Sequence, residues 1–213
     1  MLCGVAGQLI PVNAGFYLPE PTGLSTRAML RDLFTRPFRL GAAEELCGIV
    51  IAEPLDLSGV MLPNLDLTGA VFKVPASFRG ATFQGLAWLR NVTFEAPADF
   101  SEASFAGDAR FDGARFQAAA RFSSTRFDGV PCFDGAQFAA AAFMDRMICS
   151  GSLSLARARF HGPVCLRNTA CYGGLWCEGA QFFSSVDTRG LEIHGRNLTA
   201  GTKLEQKVPP ASV

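Results

Sequence analysis

The sequence predicts an all-β solenoid, wound into stacked four-sided coils of about 22 residues. Three observations predict it. Large apolar residues recur at steps that alternate between five and six. A small or aliphatic residue stands two places before each of these centres, and glycine recurs two places after many of them. At a spacing of 22, one series of centres is pure phenylalanine.

The centres run from Leu67 through Phe72, Phe78, Phe83, Leu89 and Phe94 to Phe138. Ala76, Ala81, Ala87 and Val92 belong to the preceding column, and Gly69, Gly80, Gly85 and Gly107 to the following one. Residues two apart in an extended strand point to the same side. Each unit is therefore a very short strand with two inward side chains. Glycine beyond it permits the positive φ or the close backbone approach of a tight corner. Phe supplies 19 of the 23 aromatic residues, as expected when one packing slot is filled repeatedly.

Phe72, Phe94, Phe116, Phe138, Phe160 and Phe182 form the pure series, whereas Leu67, Leu89, Phe111, Phe133, Leu155 and Cys177 typify a mixed one. A four-sided coil stacks the six Phe along one inner edge. A three-sided coil would scatter them among its faces. Through residues 139–155 the same rhythm makes Met144, Cys149 and Leu155 the centres, so Phe143 and Ile148 point outward.

Stretches such as Ala-Asp-Phe-Ser-Glu-Ala-Ser-Phe at 98–105 and Leu-Asp-Leu-Ser-Gly at 55–59 resemble the pentapeptide-repeat family, whose unit is A(D/N)Lxx. The resemblance implies a right-handed quadrilateral β-helix over residues 49–198. The alternation of five with six departs from the strict pattern and implies looser corners on alternate faces. Upstream, Leu57, Leu62, Leu67 and Phe72 keep strict fives, and Ile49 with Ile51 begins the first coil. Ser25 is placed to N-cap a short helix through Phe34, which Pro37 ends. Residues 1–48 are thus expected to be an N-terminal extension whose helix caps the first coil, and residues 199–213 a flexible tail.

The formal net charge is zero, which gives no electrostatic pull toward nucleic acid or anionic membrane. No basic segment leads into an apolar one at the N-terminus, and no run approaches the roughly 18 apolar residues of a membrane span. The seven cysteines include no CxxC pair and suggest reduced thiols in the cytoplasm. Cys149 and Cys171, 22 apart, should lie one above the other. A disulfide fits that geometry, but buried free thiols acting as small hydrophobes are preferred. Cys132 and Cys165 point outward on different faces, as do His161 and His194. A filled solenoid has no cleft in which polar groups converge, and nucleotide, zinc and hydrolase motifs are absent. The chain is expected not to be an enzyme, with no catalytic, cofactor-binding or metal site.

Function must then lie on the outside. Arg110, Arg115, Arg121 and Arg126 girdle one coil, with Asp108, Asp112 and Asp128 near enough to offset them, so a salt-bridged belt is expected and no direct nucleic-acid binding. Phe143 and Ile148, on adjacent faces of one coil, are the candidate interaction surface. The family resemblance implies a protein-interaction scaffold or, alternatively, a topoisomerase (gyrase)-protecting protein that resembles duplex DNA through negative charge. Residues 49–198 hold fourteen acids against thirteen bases, which disfavours mimicry of DNA. A local acidic strip at Asp112, Asp134 and Glu178 remains. A third reading is a solenoid module of a larger or membrane-associated protein. The open edge near Leu191 and Ile193 suggests a homodimer, or another protein partner, at the C-terminal coil.

Overall fold

The structure, a computed structural model, describes residues 44–204. Among them every regular element is a β-strand, from Glu44–Glu45 to Lys203–Leu204, and nearly all are two residues long. Every fourth strand joins the same parallel sheet, so the sheets are the four faces of a solenoid. The first face runs from Glu44–Glu45 to Arg196–Leu198 and the second from Val50–Ile51 to Lys203–Leu204, with eight strands each. The third runs from Leu55–Asp56 to Val186–Asp187 and the fourth from Met61–Leu62 to Glu192–Ile193, with seven each. The helix expected at 25–34 and residues 205–213 lie outside the described residues.

Register follows the spacing of the centres. Phe94 pairs with Phe72 on one side and Phe116 on the other, a shift of 22. In the first coil the shift is 21, as in Val50 with Val71 and Met61 with Thr82. The strict fives from Leu57 to Phe72 account for the missing residue: Leu62 to Leu67 takes five where later coils take six.

Two kinds of corner alternate. The five-residue step from Phe78 to Phe83 closes on itself, with Ala81 N donating to Phe78 O at 3.0 Å. Gly80 supplies its left-handed residue at φ +64°, and nothing lies near where a Cβ would go. Where glycine is absent, Asn91, Glu102, Ser124, Arg146, Arg157 and Asn168 adopt positive φ themselves. The repeat's aspartates serve the same corner: Asp56, Asp66 and Asp99 each accept a hydrogen bond from the backbone N–H two residues on. Six-residue corners are held instead by the next coil, as where Glu95 N donates to Phe72 O at 2.9 Å. Glycine there answers to crowding. A Cβ on Gly129 would stand 2.6 Å from the carbonyl carbon of Gly107 in the coil above.

Coil stacking puts each inner side chain on its own kind. The six Phe of the second face stack at 4.6–5.2 Å between centroids. Phe78, Phe100 and Phe122 stack on the third face, and Phe83, Phe105 and Phe127 on the fourth. Rings of different faces meet edge-on, as Phe94 and Phe100 do at 5.9 Å and 86°. Further down, Met144 and Cys149 are wholly buried while Phe143 is half-buried and Ile148 exposed, so the rhythm prevails there over the aromatic.

Two outcomes follow for chemical denaturation. Phe116→Ala should cost about 3–5 kcal/mol, because rings above and below leave the stack no way to collapse. Arg115→Ala, one residue away and outward, should change stability by less than about 0.5 kcal/mol. Equal losses would contradict the facing of that strand. Gly80→Ala should cost only the left-handed strain of about 1–2 kcal/mol. Gly129→Ala should cost clearly more, since backbone of the neighbouring coil must move; a smaller loss than at Gly80 would refute the close-packed corner.

Candidate interaction surface

With the interior filled, each strand offers one outward side chain and each corner a few more. The four arginines of the girdle fall on four faces, at Arg110, Arg115, Arg121 and Arg126 in face order. Three are engaged. Arg110 donates to both oxygens of Asp112 at 2.8 Å, and Arg126 pairs with Asp128 at 2.8 Å. The Arg121 guanidinium lies 4.6 Å above the Phe143 ring. Arg115 has no polar or ring partner among the described residues.

Phe143 and Ile148 stand on the third and fourth faces of one coil, separated by a five-residue corner. Arg121 covers part of Phe143, whereas Ile148 is 40% exposed. The 22-residue offset already makes Arg121 and Phe143 neighbours in adjacent coils, and the packed structure adds that the guanidinium turns over the ring.

The structure also gathers a group that the linear motifs do not show. Asp112, Cys132 and Asp134 bring their ligand-type atoms within 4.8 Å of one another at the edge of the first face. The Cys132 thiol donates to Asp112 at 3.2 Å, and Asp134 accepts from the Ser154 hydroxyl and from Ala156 N. Cys132 points outward as expected, yet the neighbouring polar side chains bury it. Burial pushes its thiol up to about 12. Burial also opposes ionisation of Asp112, but hydrogen bonds from Arg110 and Cys132 outweigh it and hold the carboxyl below the usual range. The neutral thiol and the guanidinium already satisfy Asp112, so a cation would have to displace them. The residues are 20 and 22 apart, a signal readable only once the coil length is known.

Cys149 and Cys171 are register partners, both fully buried and both thiols. The Cys171 sulfur beside it, together with burial, pushes the Cys149 thiol up. His161 stacks on Phe183 at 4.8 Å and His194 on Tyr172 at 4.9 Å, at separate corners of the solenoid. On the third face Arg189 and Arg167 both donate to Asp187 and hold its carboxyl well below the usual range. At the C-terminal end Tyr172, Trp176 and Leu198 are 53%, 43% and 46% exposed. Among the described residues no helix is long and apolar enough to cross a membrane.

A family model described as pentapeptide repeats (9 copies) matches residues 57–104. Residues 57–104 carry pentapeptide repeats. The matched stretch covers the coils in which Asp56, Asp66 and Asp99 close the five-residue corners or lie just before it. The same four-sided winding continues past it to Leu204 without a break in register. No curated protein shows significant similarity to the chain.

Asp112 gives the solenoid a pH-dependent contact. Its folded carboxyl ionises more readily than an unfolded one, so the contribution is present above about pH 3.9 and fades as pH falls through the lowered value. Asp112→Asn should cost about 1–3 kcal/mol at neutral pH, with the gap to the unaltered protein narrowing in acid. A gap constant from pH 7 to pH 2 in urea denaturation would rule this out.

Proposed function

We propose that this pentapeptide-repeat solenoid is a non-catalytic protein-interaction scaffold. The observation that carries the reading is the filled interior. Stacked side chains from Ile51 to Phe182 leave no internal place for a substrate, while the same stacking holds outward residues at fixed spacing. Phe143 and Ile148 form one contact point, with Ile148 as its exposed element. The C-terminal coil forms another, where Val186, Leu191 and Ile193 are only partly buried against the core and a second copy could cover them. The five thiols from Cys132 to Cys177 suit a reducing compartment, the cytoplasm.

Capture of partners from the native host by tagged protein tests the scaffold. Ile148→Asp should weaken capture while changing stability by less than about 0.5 kcal/mol, because the side chain lies outside the core. Light scattering over a range of concentrations should show self-association, and Glu192→Lys at the terminal coil should reduce it. Absence of any captured protein, with a monomer at all concentrations, would overturn the proposal. Protection of gyrase from a quinolone at near-stoichiometric protein would replace it with the topoisomerase reading.

A further inference from the structure

We infer that the second face binds an acidic, extended segment of a partner protein, laid along the solenoid axis. The inference rests on the scaffold reading and names the chemistry of one partner. The outward positions of its first seven strands, in order, are Val50, Val71, Thr93, Arg115, Gln137, Arg159 and Gln181, and Lys203 is the register partner of Gln181 on the eighth. No acid stands among them. Each of the other faces carries at least one, at Asp66, at Asp56, Asp99 and Asp187, and at Glu192. Elsewhere Arg79, Arg110, Arg126, Arg146, Arg167 and Arg189 are paired with carboxylates and Arg90 and Arg121 lie over aromatic rings, which leaves Arg157 and Arg196 as the other arginines without a side-chain partner among the described residues. The side chains of Arg115, Gln137, Arg159 and Gln181 have no polar partner among the described residues.

These four residues stand on consecutive strands in unbroken register, one coil apart. Neighbouring strands lie about 4.8 Å apart, so the two guanidinium groups recur at about 9.6 Å. A polyproline II segment rises about 3.1 Å per residue with three residues per turn, which puts every third side chain on one side at about 9.3 Å. Acids at every third position of such a segment match the arginines. A strand would offer same-side acids at about 6.6 Å, off the interval, whereas every third phosphate of a nucleic-acid strand falls at about 10.2 Å of helix axis, so the chain's zero net charge rather than the interval argues against nucleic acid.

The intervening residues suit the same ligand. A polyproline II backbone makes no internal hydrogen bonds, and the Gln137 and Gln181 amides can both donate to and accept from it. Guanidinium groups meet carboxylates through two parallel hydrogen bonds, which fixes orientation. Arg157, exposed at the adjoining corner, adds a third cation beside Arg159. At that corner Asp134 is occupied by Ser154 and Ala156, while Glu178 beside Gln181 marks where the acidic segment must end. Beneath the row runs the unbroken Phe stack, Phe116 to Phe182 at 4.6–4.8 Å, which holds the spacing rigid.

The test uses fluorescence anisotropy with two labelled peptides of one composition, Glu-Pro-Pro-Glu-Pro-Pro-Glu and Glu-Glu-Glu-Pro-Pro-Pro-Pro. The full chain should bind the first at least about tenfold more tightly, and added salt should weaken binding. Arg115→Ala with Arg159→Ala should lose that binding by about tenfold or more, and Arg126→Ala on the fourth face should change it less than about twofold. Denaturation curves of the variants establish that they fold. Equal affinity for the two peptides, no binding, or binding unchanged in the double variant would overturn the inference. So would tighter binding of a thymidine oligonucleotide or of phosphatidylserine vesicles. If host proteins captured by the unaltered chain are retained fully by the double variant, the second face is wrong and the scaffold stands. If nothing is captured at all, the scaffold itself fails.

Discussion

Each coil of this molecule hydrogen-bonds to the next in parallel, in register, at the strand spacing of about 4.8 Å. That spacing coincides with the distance at which flat aromatic rings stack in offset pairs. A Phe at an inward position therefore meets the residue 22 later at a separation already suited to a second Phe, and the observed centroids fall between 4.2 and 5.2 Å. A bulkier or branched ring in one coil would have to be accommodated by the coils above and below it. The columns consequently stay uniform over several coils, and the small residue two places earlier leaves room for the rings to extend across the interior.

The same constraint shapes the corners. Stacked coils bring like corners together, so a residue at a corner is judged by its counterpart one coil away as well as by its own φ. This separates two glycine columns that look alike in the sequence. Gly80 and its equivalents serve a left-handed turn that Asn91 or Arg157 can also make. Gly129 and its equivalents lie against the backbone of the previous coil, where Asn or Arg has no space. Threonine marks a third solution. Thr169 replaces the usual alanine two places before its centre, and its hydroxyl accepts from Met147 N while donating to Met144 O. It bridges the turn of the preceding coil, where Met144 and Cys149 have taken over from Phe122 and Phe127.

The fold was legible because it is written in single-residue columns: centre, small residue and corner each recur at fixed intervals that survive local substitutions. The facing of Met144 and Phe143 could be read against the pull of the aromatic for this reason alone. Partnership on the outside was less legible. Arg110 and Arg115 look equivalent in the sequence, and only the packed coil reveals that Asp112 claims one while no described residue claims the other. Cys132 points outward by the same count that places Arg110 outward, yet Asp112 and Asp134 close over it from corners 20 residues before and two residues after. Such contacts combine a strand column with a corner column and depend on side-chain reach, which periodicity does not encode.

Inside and outside of this solenoid are therefore under different rules. Inward residues are tied to neighbours one coil away on both sides, so a change in one is felt in three coils. Outward residues share the same spacing but not the same packing, and most substitutions there cost little. The core thus sets a ruler with marks about 4.8 Å apart, and the outer sequence is free to place charge or apolar surface at chosen marks. Salt bridges fill many of those marks on three faces. On the second face the marks from Arg115 to Gln181 carry alternating guanidinium and amide groups without partners among the described residues, above the most uniform column of the core. Rigid spacing lowers the ordering cost of binding an extended ligand, because the donors need no rearrangement. On the proposed reading of the second face, the constant interval is what selects the ligand.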